Sequence, residues 1–574
     1  MKSALTRLWR HIGFICVASV LVYLTVHAFD GPRLNWGDSG SDYNVMTAGR
    51  NFQRYGFLTM RLTPVLLDAS VLNPADPSKI YTHYPQLPDL MNGVLRTVFH
   101  LSELTQFRFV ALAFSFAALF FIYQLITTYW SRQTAQVALG LWVINPLWIQ
   151  HADHLHAVPY GAFFGYGSVY WLSRYLRDDR RRIGFLLASG AFLFLVFLSS
   201  YDYWFFAPLL LAIVTVAHFR EIRWPAIRLL SALACFALAS MTFKFATNAW
   251  ALGGVGALIR DVKFQAIERT ANPLMQITIG PGIWPTLVGR IERCYSLLLF
   301  PILAYWLAVG LMPRTWESRG PLFRRAAANP VILLVAGLPF LCVFVELWVG
   351  QYYPTLLLMP FYAVGAALLA ERLMATQHRW TTPLAIAFVA ALGLNSIAEN
   401  LSFKKAVLDP REVKELRARL DAVSKPGQYV LTNHVFDFLY AYYFDRPTVD
   451  LLLNPPQRFA SAVAYYSDPK RPRVAPATGA IYVEHKHLAD ELFDKGFYFL
   501  LARDGLWQAW GNPERNRAAI AAFVAQRDSL LTAAVAPTGT KLYENDEYVI
   551  WRIPPPHAAN TAAVTERPKA SSGN

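Results

Sequence analysis

The chain has 574 residues, of which 55% are hydrophobic, 15% aromatic and only 16% charged, and it carries a formal net charge of +15. With a mean hydropathy of +0.29, it holds more apolar surface than a water-soluble protein of this length hides, which excludes a purely soluble multidomain architecture. The positive charge does not indicate nucleic acid: no basic-aromatic RNA motif occurs, and much of the Arg and Lys lies in short loops between apolar runs.

The N-terminus, "MKSALTRLWRHIGFICVASVLVYLTVHAF", starts basic and then runs apolar for about 17 residues. The run is long for a signal peptide, has no small-x-small cleavage site and is followed by more hydrophobic segments. It is expected as a retained first helix. A helix needs about 20 apolar residues to cross a bilayer. Candidate spans fall at 12–29, 107–130, 134–150, 157–176, 183–199, 203–219, 226–247, 292–312, 330–349, 353–372 and 381–398. The expected fold is a polytopic α-helical membrane protein of about eleven transmembrane helices with a C-terminal soluble α/β domain. Cys16, Cys235, Cys294 and Cys342 lie in or beside apolar segments without CxxC or Cys/His ligand spacing, so they read as small hydrophobes.

With the N-terminus in the cytoplasm and strict alternation, the inner loops hold Arg132, Arg177, the run Arg180 to Arg182, Arg220, Arg314 and Arg372. The short outer turns at 151–156, 199–202 and 350–352 hold no Lys or Arg. This is the positive-inside pattern. It puts residues 30–106, residues 248–291 and everything after about 400 on the outer face; the expected location is the cytoplasmic (inner) membrane, with this face periplasmic. Expected domains are a membrane domain over 1–400, an outer α/β domain over 401–553 and a Pro/Ala/Ser-rich disordered tail over 554–574. Within the α/β domain, "DPREVKELRARLDAVSKPGQ" reads as an amphipathic helix. "YVLTN", "GAIYVEH", "GFYFLLARDG" and "EYVIWRIP" read as strands, and "HVFDFLYAYYFD" as a helix or broken strand.

This sidedness gathers polar residues at the outer helix ends. Asp38 and Asp42 follow the first helix in "NWGDSGSDYNVMTAGRNFQRYGF", and His83 and Tyr84 stand in "IYTHYPQLPDLMNG". His151, Asp153 and His154 lie in "QHADHLH", Asp202 in "SSYDYW", and Glu346 and Tyr352 in "ELWVGQYYP". Lys244 lies near the outer end of the seventh span, where snorkelling to the interface is an alternative to a site role. Glu346 interrupts an apolar run, where a charge is expensive and usually functional or paired. Asp42 and Asp202 also fit structural roles, Asp202 as a helix cap. No Gly-rich phosphate loop and no inner-face DxD motif for a nucleotide sugar occurs.

In this order, the motifs resemble the membrane-embedded C-type (GT-C) glycosyltransferases that use polyprenyl-phosphate sugars. The likeness is nearest to the group holding lipid A aminoarabinose transferases and protein O-mannosyltransferases. The matching features are Asp38 and Tyr43 ahead of "AGRNFQRYGF", "THYPQL" in place of a basic residue before Pro-Pro-Leu, "QHADHLH" as an acidic loop after the third helix, and "GQYYPTLLLMPFYAVGAALLAERL". The pattern departs in two places: Ser39 follows Asp38 where an acidic pair is usual, and Gln86 replaces the second proline.

The resemblance implies transfer of a hexosyl or pentosyl group from a polyprenyl-phosphate donor to an envelope acceptor: lipopolysaccharide, another glycan, a glycolipid or a protein. A carboxylate takes the acceptor proton, with Asp38 as general base and Asp153 or Asp42 as further catalytic acids. The carrier phosphate needs cations or donors, and His83, Tyr84, Lys244, Arg260, Lys263, Arg269, Arg290 and Tyr352 are candidates. His151, His154, Asp202 and Glu346 are candidates for orienting the acceptor. A Mg or Mn cation would use Asp38 with Asp153, because these ions prefer oxygen ligands. Single displacement inverts the anomeric centre. Two alternatives stay open: a transporter or flippase for a lipid-linked sugar, and a non-catalytic scaffold of envelope glycan assembly.

Overall fold

A computed structural model describes residues 2–30, 39–65, 80–82, 84–178, 182–218, 225–271, 283–311, 329–343, 353–376, 378, 380–402, 410–425, 428–433, 442–446, 448–451, 460, 463, 479–487, 513–537 and 539–554. The chain divides into two compact units. One comprises residues 1–30, 36–64 and 71–405, and the other residues 31–35, 65–70 and 406–574.

Among the described residues the regular elements of the first unit are helices. Its elements are α1 (Lys2–Ala28), α2 (Ser39–Tyr55), α3 (Leu87–Phe99), α4 (Leu104–Tyr129), α5 (Arg132–Val143), α6 (Pro146–His151), α7 (Ala157–Arg177) and α8 (Ile183–Ser199). Then come α9 (Tyr201–Ala217), α10 (Pro225–Leu252), α11 (Val255–Ala271), α12 (Ile283–Tyr295), α13 (Leu299–Leu311), α14 (Val331–Val343), α15 (Met359–Ala375) and α16 (Thr381–Ser402). Among the described residues five helices are long and apolar enough to cross a membrane: His11–Ala28, Leu104–Tyr129, Ala226–Leu252, Thr355–Ala375 and Thr381–Leu401. Shorter apolar helices cover Ile183–Ser199, Tyr201–Val216, Leu299–Gly310 and Val331–Val343. The protein is thus a membrane protein built of apolar helices.

Two expected continuous spans are broken. Residues 134–150 form α5 and α6, because Asn145 leaves the helical conformation and Pro146 opens a new helix. Residues 292–312 form the end of α12 and then α13, with Ser296 at φ 64° between them. The segment expected at 353–372 opens with a 3-10 turn over Tyr353–Leu358, and Pro360 then sits in the first turn of α15.

Inside the unit, α7 packs against α4, α8 and α9, α1 against α5, α10 against α8, and α2 against α3. Small residues permit these close crossings. A Cβ on Gly161 or Gly165 would come within 2.7 or 2.6 Å of the Tyr203 ring, so this face of α7 seats an aromatic of α9. Without water to drive helices together in a membrane, such packing and the polar contacts below hold the bundle.

The second unit contains α17 (Pro410–Val423), α18 (Pro513–Val535) and a five-stranded sheet. The strands are β1 (Val430–Thr432), β2 (Thr448–Asp450), β3 (Ala480–His485), β4 (Thr540–Glu544) and β5 (Tyr548–Ile553), in spatial order β2-β1-β3-β5-β4. β1 pairs parallel with β2 and β3, whereas β5 runs antiparallel to β3 and β4. Leu431, Tyr482, Leu531 and Ile553 form its core. The strands expected in "YVLTN", "GAIYVEH" and "EYVIWRIP" are β1, β3 and β5. "GFYFLLARDG" and most of "HVFDFLYAYYFD" lie outside the described residues.

Candidate functional site

The break between α5 and α6 shapes the first part of the site. Asn145 caps α6 by accepting the Leu147 N–H at 2.9 Å, and its amide donates to Cys294 O at 2.6 Å. The six-residue α6 then delivers His151 into a turn, and α7 starts only at Ala157. His151, Asp153 and His154 are 2%, 1% and 3% exposed, so the histidine-rich stretch is a buried turn and not a solvated loop. Ser115 of α4 holds it by donating to Ala152 O at 2.6 Å.

Asp42 closes this turn from the other side. It lies in the first turn of α2, where a carboxylate suits the helix dipole. Its Oδ1 accepts the Leu155 N–H at 2.8 Å and lies 3.4 Å from His154 Nδ1. Burial alone would push this carboxyl up. The His154 ring, the Leu155 N–H and the Arg108 charge outweigh it and hold Asp42 below its usual range. Arg108 is itself buried and donates to Ala28 O at 3.3 Å and Asp30 O at 2.6 Å. Asp42, expected among the catalytic acids, is thus engaged in joining α2 to the 152–156 turn.

Lys244 anchors a second part. Its ammonium donates to the Tyr201 hydroxyl and lies 4.4 Å from the Tyr201 ring centroid and 5.9 Å from that of Trp204. At 1% exposure it does not snorkel to an interface; two aromatic faces take the place of water. Tyr84 lies edge-on to His156 at 4.7 Å and 5.8 Å from Tyr201. The stretches "THYPQL", "QHADHLH" and "SSYDYW" therefore meet beside Lys244.

Asp202, 5% exposed in the first turn of α9, lies next to Tyr201 in the chain. Arg260 and Lys263 are exposed on α11 and do not join the buried group. Arg269 and Arg290 fall in α11 and α12, but their side chains lie outside the description. Asp38, His83, Glu346 and Tyr352 also lie outside the described residues.

Arg108 and Asp89 are not among the site residues expected from the sequence, and Gln86 figures there only as a departure from the resembling motif. Asp89, 1% exposed in the first turn of α3, has its carboxyl pushed up to about 8 by burial, against the pull of its own N–H and of the Lys244 charge. A charge at the start of an apolar run was the available signal for Arg108. For Asp89, the signal was a carboxylate just after two prolines in "YPQLPD".

Among the described residues, no group of three or more His, Cys, Asp or Glu is placed to hold a metal ion. The described residues thus do not make a metal centre, and Asp38, the carboxylate expected to share a cation with Asp153, is not among them.

No protein-family model matches the sequence, and no curated protein matches it. Solved structures similar to the chain include the archaeal oligosaccharyltransferase AglB from Archaeoglobus fulgidus in complex with an inhibitory peptide and a dolichol-phosphate. It is 12% identical, with 83% of this chain and 70% of that chain covered and a TM-score of 0.49. The same oligosaccharyltransferase in complex with Zn and sulfate gives 12% identity, coverage of 83% and 69%, and a TM-score of 0.49. ArnT from Cupriavidus metallidurans bound to undecaprenyl phosphate is 12% identical, with coverage of 94% and 97% and a TM-score of 0.49. These neighbours are GT-C glycosyltransferases, the class that the sequence motifs resemble. At these identities and TM-scores the likeness says nothing of this chain's own site, whose reading rests on its residues.

Proposed function

We propose that the protein is an integral-membrane glycosyltransferase that moves a sugar from a polyprenyl-phosphate carrier to an envelope acceptor. One observation carries this reading: a buried ammonium, Lys244, is held by Tyr201 where three polar stretches distant in sequence converge. A buried ammonium held by a hydroxyl and ring faces is suited to receive an anion, here the carrier phosphate. Tyr84 stands beside it as a further donor.

The acceptor hydroxyl loses its proton to Asp38 as its oxygen attacks the anomeric carbon. The bond from that carbon to the phosphate oxygen breaks, and the electron pair leaves with the phosphate beside Lys244. A single displacement of this kind inverts the anomeric centre. Asp153 orients the acceptor or the sugar, whereas Asp42 acts through the turn it fixes. The positive-inside pattern supports an inner-membrane protein with a cytoplasmic N-terminus and the reaction on the periplasmic side.

The test uses the full chain in lipid with a panel of undecaprenyl-phosphate sugars and a candidate envelope acceptor. Released undecaprenyl phosphate is measured for the wild type and Asp38→Asn. Release that depends on Asp38 supports the transferase and identifies the donor. No release with any donor overturns it in favour of transport or scaffolding, and equal release by both proteins removes Asp38 as the base.

A further inference from the structure

The beginning of α3 carries two acceptors that the packing does not explain. Gln86 is the N-cap of α3 and Asp89 lies in its first turn, three residues on. Lys244 and Thr247 have the same spacing on α10, and residues three apart share a helix face. Gln86 Nε2 donates to Thr247 Oγ1 at 2.9 Å, and the Lys244 charge acts on Asp89. The start of α3 is therefore tied to α10 through Gln86 and Thr247, within reach of the Lys244 charge.

This arrangement uses only one end of the Gln86 amide. Among the described residues, Gln86 Oε1 and Asp89 Oδ2 have no hydrogen-bond partner, although both residues are 1% exposed. A buried acceptor left unpaired is costly, and apolar residues of the same size would not bear that cost.

The ligand that satisfies such a group must present donors close to an anion. A bare lipid phosphate offers Gln86 and Asp89 little to accept. A phosphate carrying a sugar offers hydroxyl or amino groups next to the charge. We propose that Gln86 and Asp89 form the sugar subsite, exchanging hydrogen bonds with the donor's hydroxyl or amino groups while Lys244 holds the phosphate. This inference rests on the reading of Lys244 as phosphate anchor. It makes the pair specificity-determining: they favour the glycosylated carrier over the bare carrier left after transfer.

The test measures dissociation constants for the full chain in lipid nanodiscs. The probes are undecaprenyl phosphate and its glucose, mannose, N-acetylglucosamine and aminoarabinose derivatives. The wild type is expected to bind at least one glycosylated carrier about tenfold or more tightly than the bare one. Asp89→Leu and Gln86→Met, which remove these hydrogen-bonding groups, are each expected to bring that ratio toward one, with bare-carrier binding unchanged; unchanged binding also shows that the variants fold. Lys244→Met should weaken both ligands. Equal weakening of bare and glycosylated carriers by Asp89→Leu, or no preference in the wild type, overturns the subsite and leaves the phosphate anchor standing. Failure of the wild type to bind any of these probes overturns the anchor and the subsite together.

Discussion

The two units use charged side chains in opposite ways. In the helical unit Asp42, Asp89 and Lys244 are buried; Asp42 accepts the Leu155 N–H of the 152–156 turn, and Lys244 donates to Tyr201 of α9. In the α/β unit Glu544 is exposed and takes Lys486 at 2.8 Å and Lys541 at 2.7 Å. The environment sets the direction: burial pushes the Asp89 carboxyl up to about 8, whereas the hydrogen bonds from two lysines pull Glu544 down to about 2. Asp528 of α18 lies between them, raised to about 6 by burial against the hydrogen bond from Asn433. Exposed pairs contribute little. Buried charges are expensive, so a fold that keeps several in one place points to a ligand or a reaction.

The comparison breaks most readily at Lys244. Lys244→Met should lower carrier release about 100-fold or more, the scale seen when a preorganised group facing developing charge is removed. Release assays on the folded variant check this. Next comes Asp42→Ala, which leaves the buried Leu155 N–H without its acceptor. It should destabilise the protein by about 1–3 kcal/mol, whereas Asp42→Asn keeps an acceptor oxygen and should cost less; denaturation in detergent compares the two. Gly49→Ala tests the α2–α3 contact, because its Cβ would come 1.9 Å from Asn92 Oδ1, which receives the Arg96 Nε–H at 2.8 Å. Overpacking of this kind costs about 1–3 kcal/mol, read by the same denaturation.

A pH-dependent effect belongs to Asp89. Its folded carboxyl titrates near about 8, above the unfolded value of about 3.9. Between these values the folded chain holds a proton that the unfolded chain has released, so stability falls as pH rises. Asp89→Asn removes that dependence. Its thermal midpoint should exceed that of the wild type by a margin that widens from about pH 4 to about pH 8 and then stays constant. The smallest effect is expected for Glu544→Gln. A carboxyl lowered to about 2 contributes stability above its unfolded value of about 4.3 and loses it as pH falls through about 2. Because Glu544 is exposed, its thermal midpoint near neutral pH should match that of the wild type.

Much of the helical unit was legible in hydropathy, because each helix in lipid must satisfy its own backbone and so writes a long apolar run. The breaks at Asn145 and Ser296 were less visible, since the apolar runs continue across them. In the α/β unit, β1, β3 and β5 carried β-branched and aromatic residues, whereas β2 with "TVD" and β4 with "TKLYE" are too short or too polar to stand out. The alanine-rich α18 has no clear apolar stripe and was passed over.

The site divides along the same physical line. By itself the sequence determined an apolar helical membrane unit, a second unit of mixed structure, and polar stretches gathered at the ends of helices, because composition and period need only local information. The tertiary structure alone decided that Asp42 is spent on the Leu155 N–H, that Arg260 and Lys263 stay on the surface, and that Lys244 is buried against Tyr201. It also tied Gln86 at the start of α3 to Thr247 of α10. These outcomes depend on which segments meet across 43 to 161 residues of chain. No window of sequence encodes burial or partner choice at that range.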